Sequence, residues 1–176
     1  GSCFPKDTKG LVSIADKEKI NLSIVKSVIK SNENRKHLFL KKIDKLLGKN
    51  LKNIKIAFLG VTFKPNTDDM RDAVSLDMIP HFHKRKAIIS YYDPTGEKKE
   101  FAKLKNCNFH SNINDACKNA DLIILHTEWD EFKSLNFNKL LKNKKSILYD
   151  LRNLYDIEQM KKKKYRYFSI GRPIIS

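Results

Sequence analysis

Apolar positions along the chain follow two different rhythms. Up to about residue 48 they recur every three or four residues, as one face of a helix does. Leu11, Val12, Ile14 and Ala15 form one group, and Ile24, Val25, Val28 and Ile29 a second. Phe39, Leu40, Ile43, Leu46 and Leu47 resume the stripe after the polar stretch Ser31 to His37. Pro5 and Asp7 suit a helix start, because proline fits the first turn and a carboxylate favours the positive end of the helix dipole. Gly48 supplies a stop. Helices are therefore predicted over most of residues 7–48. The second stripe is either one long helix wetted in its middle or two helices that abut.

Beyond a boundary near Lys49 to Asn53, short apolar runs alternate with amphipathic stretches. Strand-like runs occur at Ile54 to Leu59, Ala87 to Tyr92, Leu122 to Leu125, Ser146 to Tyr149 and Tyr165 to Ile170. Most lack the in-out alternation of a half-wet sheet, as buried parallel strands do. Candidate helices lie between them at Ala73 to His83, Ile113 to Asn119, Phe137 to Leu141 and Ile157 to Lys162. The prediction is an α/β chain: a helical segment, residues 1–50, followed by a parallel, Rossmann-like α/β domain of about five strands, residues 51–176.

In such a sheet ligands bind beyond the carboxyl ends of the strands. The loops at that edge begin with Gly60 to Arg71, Asp93-Pro94, His126 to Trp129 and Asp150 to Arg152. The first lacks the GxGxxG of a dinucleotide-binding turn and carries Lys64 and Arg71 instead, with Arg152 on a neighbouring loop. Such cations can hold phosphate through charge-assisted hydrogen bonds. Equally, Arg71 can pair with Asp68, Asp69 or Asp72 and merely pin the loop. Asp93, His126 and Trp129 read as structural, since Asp-Pro makes turns and an aromatic residue at a loop start packs.

Composition narrows the classes. The 176 residues are 40% hydrophobic and 32% charged, which suits a folded domain and excludes general disorder. No apolar run approaches a bilayer span and no signal-peptide pattern opens the chain, so a cytoplasmic location without membrane association is expected. The net charge of +16 could favour nucleic acid, but 30 of the 36 cations are lysine and they are spread along the chain. Base-edge readers lean on arginine, so a solvated surface and no nucleic-acid partner is the reading here. Three cysteines without CxxC spacing suggest neither a disulfide framework nor a zinc site, and His81 and His83 lack companions at ligand spacing.

Cys3-Phe4-Pro5-Lys6-Asp7 is the most chemically loaded string. A thiol at a helix start beside a lysine is biased toward thiolate, and a carboxylate four residues on returns to the same face, where it can handle water or protons. A free cysteine with a helix-capping aspartate is the plainer alternative.

Five strings, GSCFPKDTKGL, FKPNTDDMRDAVSL, HTEWDEF, DLR and SIGRP, resemble in order and spacing the C-terminal half of the UDP-glucose/GDP-mannose dehydrogenase family, and most of all its UDP-glucose branch. The resemblance covers essentially the whole chain. It implies a two-step oxidation of a nucleotide-sugar C6 alcohol to a carboxylate with NAD, through a thiohemiacetal and a thioester on Cys3. Asp7 would activate water or handle protons, Lys6 and Arg71 would contact NAD, and Phe63, Lys64 and Arg152 would bind the UDP-sugar. It also implies a homodimer formed through the helical segment. The glycine-fingerprinted NAD-binding domain of the family lies outside these residues, so the chain alone is expected to be inactive. The remaining alternatives are a non-catalytic UDP-sugar-binding or subunit-interaction module, or a dehydrogenase for UDP-N-acetylmannosamine or GDP-mannose.

Overall fold

The computed structural model describes residues 3–48, 50–141, 145–163 and 166–175, apart from the side chain of Cys3. It divides into two compact units, Gly1–Lys49 and Asn50–Ser176.

The first unit is a pair of helices, α1 (Cys3–Lys17) and α2 (Ser23–Leu47). Helix α1 begins at Cys3 rather than after it, and Pro5 still falls in the first turn, where its missing N–H costs nothing. Its end is set by Lys19, which takes a left-handed φ of 57° while the Ile20 amide donates back to Ala15 O at 2.8 Å. The second stripe resolves as one continuous helix of 25 residues, ended at Gly48 with φ 82°. Ion pairs Lys26–Asp16 and Lys9–Glu33 join α1 to α2 at positions that converge toward the turn, as two helices doubling back require.

The second unit is a six-stranded sheet in the order β3-β2-β1-β4-β5-β6, with every neighbouring pair parallel. Its strands are β1 (Lys55–Leu59), β2 (Ile88–Tyr92), β3 (Cys107–Phe109), β4 (Leu122–Leu125), β5 (Ile147–Asp150) and β6 (Arg166–Ser169). Helices α3 (Ser75–Lys84), α4 (Ile113–Cys117), α5 (Phe137–Leu140) and α6 (Ile157–Lys162) connect them, with a 3₁₀ turn at Asp130–Ser134. Strands β4 and β5 are buried along their whole length, which is why their sequences show no alternation. Six strands stand where about five were predicted. The extra one, β3, is a three-residue edge strand with an exposed Asn108 between two half-buried residues, too short to leave a pattern.

Strand order 3-2-1-4-5-6 reverses between β1 and β4, so the loops leaving these two strands diverge around a switch point. Gly60 makes their close approach possible. Its φ is 72°, and a Cβ added there would meet Thr127 Cβ at 2.6 Å. Gly60→Ala is therefore expected to destabilise the domain by about 2–4 kcal/mol, through left-handed strain and overpacking together. Urea unfolding is the check, and a loss below about 0.5 kcal/mol would show that the two loops can separate freely.

Candidate functional site

The start of the β1 loop commits its backbone to carbonyls and side chains from around the sheet edge. Gly60 N–H donates to Tyr92 O at 2.8 Å, and Val61 N–H and Thr62 N–H both donate to Asp93 Oδ2, at 2.8 and 3.3 Å. Phe63 N–H donates to Asp69 O at 2.9 Å. On the acceptor side, Val61 O receives the Ser75 hydroxyl, Thr62 O the Thr127 hydroxyl at 2.7 Å, and Phe63 O the Arg152 Nη2 at 3.0 Å. A phosphate-cradling loop needs free, convergent amides, and here all amides from Gly60 to Phe63 are occupied. The first four residues of this loop therefore offer an anion no free amide.

Two carboxylates at strand ends hold the arrangement. Asp93, 1% exposed after β2, also accepts Thr95 N–H at 3.0 Å and lies 3.6 Å from the Lys98 ammonium. Asp150, fully buried at the end of β5, accepts the amides of Arg152 at 2.8 Å and Leu154 at 2.7 Å and the Tyr167 hydroxyl at 2.8 Å. Burial first, then the Asp150 charge, pushes the Tyr167 phenol far up, so it stays a donor. Asn153 closes the loop against the last strand by pairing its amide with both the N–H and the C=O of Ile170.

This frame fixes Arg152. Its Nε donates to His126 O at 2.7 Å, and Glu128 Oε2 lies 2.8 Å from the same nitrogen. The guanidinium thus ties the β1, β4 and β5 loops together. Its Nη1 amino group has no partner among the described residues, leaving two donors for a ligand.

Phe63 is half-buried and the next residue, Lys64, is exposed. Arg71 stands farther along the same loop, 78% exposed, and forms a two-pronged contact with Asp69 at 2.9 Å on each prong. It borders an open cleft of about 560 Å³ shared with Met70, Thr95, Lys98 and Lys99. Of the predicted site residues, the structure brings Phe63 and Arg152 into direct contact and sets Lys64 beside them. Cys3, Lys6 and Asp7 belong to α1, where Lys6 Nζ and Asp7 Oδ1 are 3.6 Å apart and both side chains are exposed. The thiol of Cys3 lies outside the described side chains. Among the described residues no group of ligating side chains could hold a metal ion, and no helix is long and apolar enough to cross a membrane.

Sequence reasoning passed over Asp93, Thr127, Glu128 and Asp150 as site builders. The available signal was their place, each within three residues of a strand end at the carboxyl edge.

The strand order and side-chain-lined switch point define a doubly wound α/β domain of nucleotide-binding type. Residues 57–157 match the UDP binding domain of the UDP-glucose/GDP-mannose dehydrogenase family. The UDP-glucose 6-dehydrogenase of Rickettsia prowazekii (strain Madrid E) is 40% identical over 99% of this chain and 41% of that relative. The one from Rhizobium meliloti (strain 1021) is 37% identical over 98% and 40%. Among solved structures, a UDP-glucose dehydrogenase from Pyrobaculum islandicum superposes with a TM-score of 0.71 at 26% identity, over 85% of this chain and 33% of that one. The UDP-D-ManNAc dehydrogenase of Pyrococcus horikoshii gives 0.75 at 25% identity, over 98% and 38%. The chain belongs to the UDP-glucose/GDP-mannose dehydrogenase family, and spans about 40% of the length of these curated relatives.

His126 gives a local test of the geometry. The Thr127 hydroxyl spends its proton on Thr62 O, so at 3.0 Å from His126 Nδ1 it can only accept, and Nδ1 carries the hydrogen. Burial, reinforced by the Arg152 charge, lowers the His126 pKa to about 3. The folded state therefore binds fewer protons than the unfolded one between about pH 3 and the ordinary value of 6.5, and stability falls as pH drops through that window. Imidazole ¹⁵N spectra should show the neutral Nδ1–H tautomer with no titration between about pH 7 and 5. A midpoint near 6.5 would place the ring in solvent and contradict the arrangement.

Proposed function

We propose that this chain is the substrate-binding and cysteine-bearing portion of an NAD-dependent dehydrogenase that oxidises UDP-glucose to UDP-glucuronate. The observation that carries the reading is the near-complete match, at 37–40% identity, to relatives named UDP-glucose 6-dehydrogenase. The α/β unit binds the UDP-sugar. Arg152 meets the diphosphate with its unpartnered Nη1, and Phe63 and Lys64 hold the ligand from the β1 loop.

On α1, Cys3 is the nucleophile. The C6 alcohol first loses a hydride and a proton to give the aldehyde; the Cys3 sulfur adds to it to give a thiohemiacetal, which loses a second hydride to become a thioester, and water then releases the carboxylate and restores the thiol. Asp7, one helical turn on, directs that water and takes its proton. NAD, when bound, accepts the hydrides. The filled β1 amides do not suit a dinucleotide diphosphate, so this chain contributes Lys6 and Arg71 as edge contacts, and the main cofactor site belongs to an NAD-binding domain outside these residues.

Two further features support the reading. Phe4, Leu11, Ile14, Ile24 and Val28 are exposed apolar residues on α1 and α2, suited to pairing two subunits as a homodimer. Cys107 and Cys117 are free, and burial raises the pKa of each to about 12, which keeps both thiols protonated and out of the chemistry assigned to Cys3.

In an intact enzyme containing this chain, Cys3→Ser should abolish carboxylate formation and leave UDP-glucose binding nearly unchanged. Asp7→Asn should slow thioester breakdown more than its formation. Arg152→Ala should weaken UDP-glucose binding by roughly ten- to a hundredfold, the loss of about 1.5–3 kcal/mol from a charge-assisted contact. Burst kinetics and titration calorimetry separate these patterns. Normal release of UDP-glucuronate by the serine variant would remove Cys3 from the mechanism, and preference for another nucleotide sugar would reassign the substrate.

A further inference from the structure

Glu128 sits against the ligand-facing arginine in a way that the positioning of that arginine does not require. Arg152 is already fixed by two carbonyls, His126 O on Nε and Phe63 O on Nη2. The single proton of Nε goes to His126 O. Glu128 Oε2 is 2.8 Å from that nitrogen, is shielded from solvent, and accepts no hydrogen bond among the described residues. The contact is therefore an interaction between charges with little directional content. A carboxylate held there partly cancels the field of the guanidinium at its opposite, unpartnered Nη1 edge.

We propose that Glu128 is a specificity-determining residue that sets how much negative charge the site accepts, and so favours a nucleotide sugar over the free nucleoside diphosphate. The proposal rests on the reading that Arg152 meets the diphosphate. In a nucleotide sugar the terminal phosphate is esterified and each phosphate carries one negative charge. In a free nucleoside diphosphate the terminal phosphate loses its second proton near pH 6, as phosphate monoesters do, and adds a further charge. A carboxylate several ångströms from the bound phosphates repels the more charged ligand more strongly, and partial burial keeps the repulsion from being fully screened. Glu128 thus disfavours occupation of the empty site by UDP, while the neutral hexose leaves substrate binding less affected. Its partner Arg152 is held by the carbonyls of His126 and Phe63, bonds in which the carboxylate takes no part.

The test is titration calorimetry of UDP and UDP-glucose into this chain, unsubstituted and as Glu128→Gln, near neutral pH and at low and high salt. The glutamine variant should tighten UDP binding roughly fivefold more than UDP-glucose binding, and the difference should shrink as salt rises. Glu128→Ser, which also removes the charge but shortens the side chain, should give the same shift in the ratio. An unchanged ratio, or equal weakening of both ligands in either variant, overturns the role of Glu128 and makes it an ordinary positioning group. Binding of neither ligand by the unsubstituted chain defeats the nucleotide-sugar reading itself, which is a separate outcome from an unchanged ratio with both ligands bound.

Discussion

The carboxylate of Asp93 reaching across from the end of β2 to the amides of Val61 and Thr62 is the contact on which the working edge depends. Buried amides without acceptors would cost more than a kilocalorie each, on the order of 1–3 kcal/mol, and one side chain relieves two of them. With those amides turned toward Asp93, Thr62 O faces the Thr127 hydroxyl and Phe63 O faces Arg152. A loop that in many nucleotide-binding domains is a flexible, glycine-rich cradle is here a braced shelf that presents side chains.

That choice decides the chemistry available. A shelf of side chains recognises an anion through guanidinium and ammonium groups, whose effect neighbouring carboxylates can tune. A cradle of amides offers partial charges that substitution cannot adjust. Arg152 stands where the β1, β4 and β5 loops meet, so its backbone is set by Asp150 and its side chain by two carbonyls. Being pre-set, it would give up little conformational freedom to a ligand. Glu128 beside it supplies the opposing charge.

Much of the fold was legible because burial leaves a mark on sequence. The run Leu122 to Leu125 became β4 without adjustment, and Ile157 to Lys162 became α6, since one is a strand buried on both faces and the other a helix started by an Asp156 cap. Strand β3 was not legible, because three residues at an open edge carry no period. At the site, residue types pointed to Lys64, Arg71 and Arg152 as cations at one edge. They could not say that Arg71 would pair with Asp69 while one Arg152 amino group kept no partner among the described residues, since pairing is a matter of where loops cross. Asp93 is the instructive omission: Asp-Pro signalled a turn correctly, and the carboxylate's larger task lay with residues 31 and 32 positions earlier.

The amides of Gly60, Val61, Thr62 and Phe63 are all engaged, which leaves none of the four free for an anion. Residue-resolved hydrogen exchange of the Val61, Thr62 and Phe63 amides measures that engagement. Protection comparable to that of strand β1 is expected, because each proton is held by Asp93 or by the carbonyl of Asp69. Exchange at the rate of an open loop would show instead that these amides are free to bind phosphate.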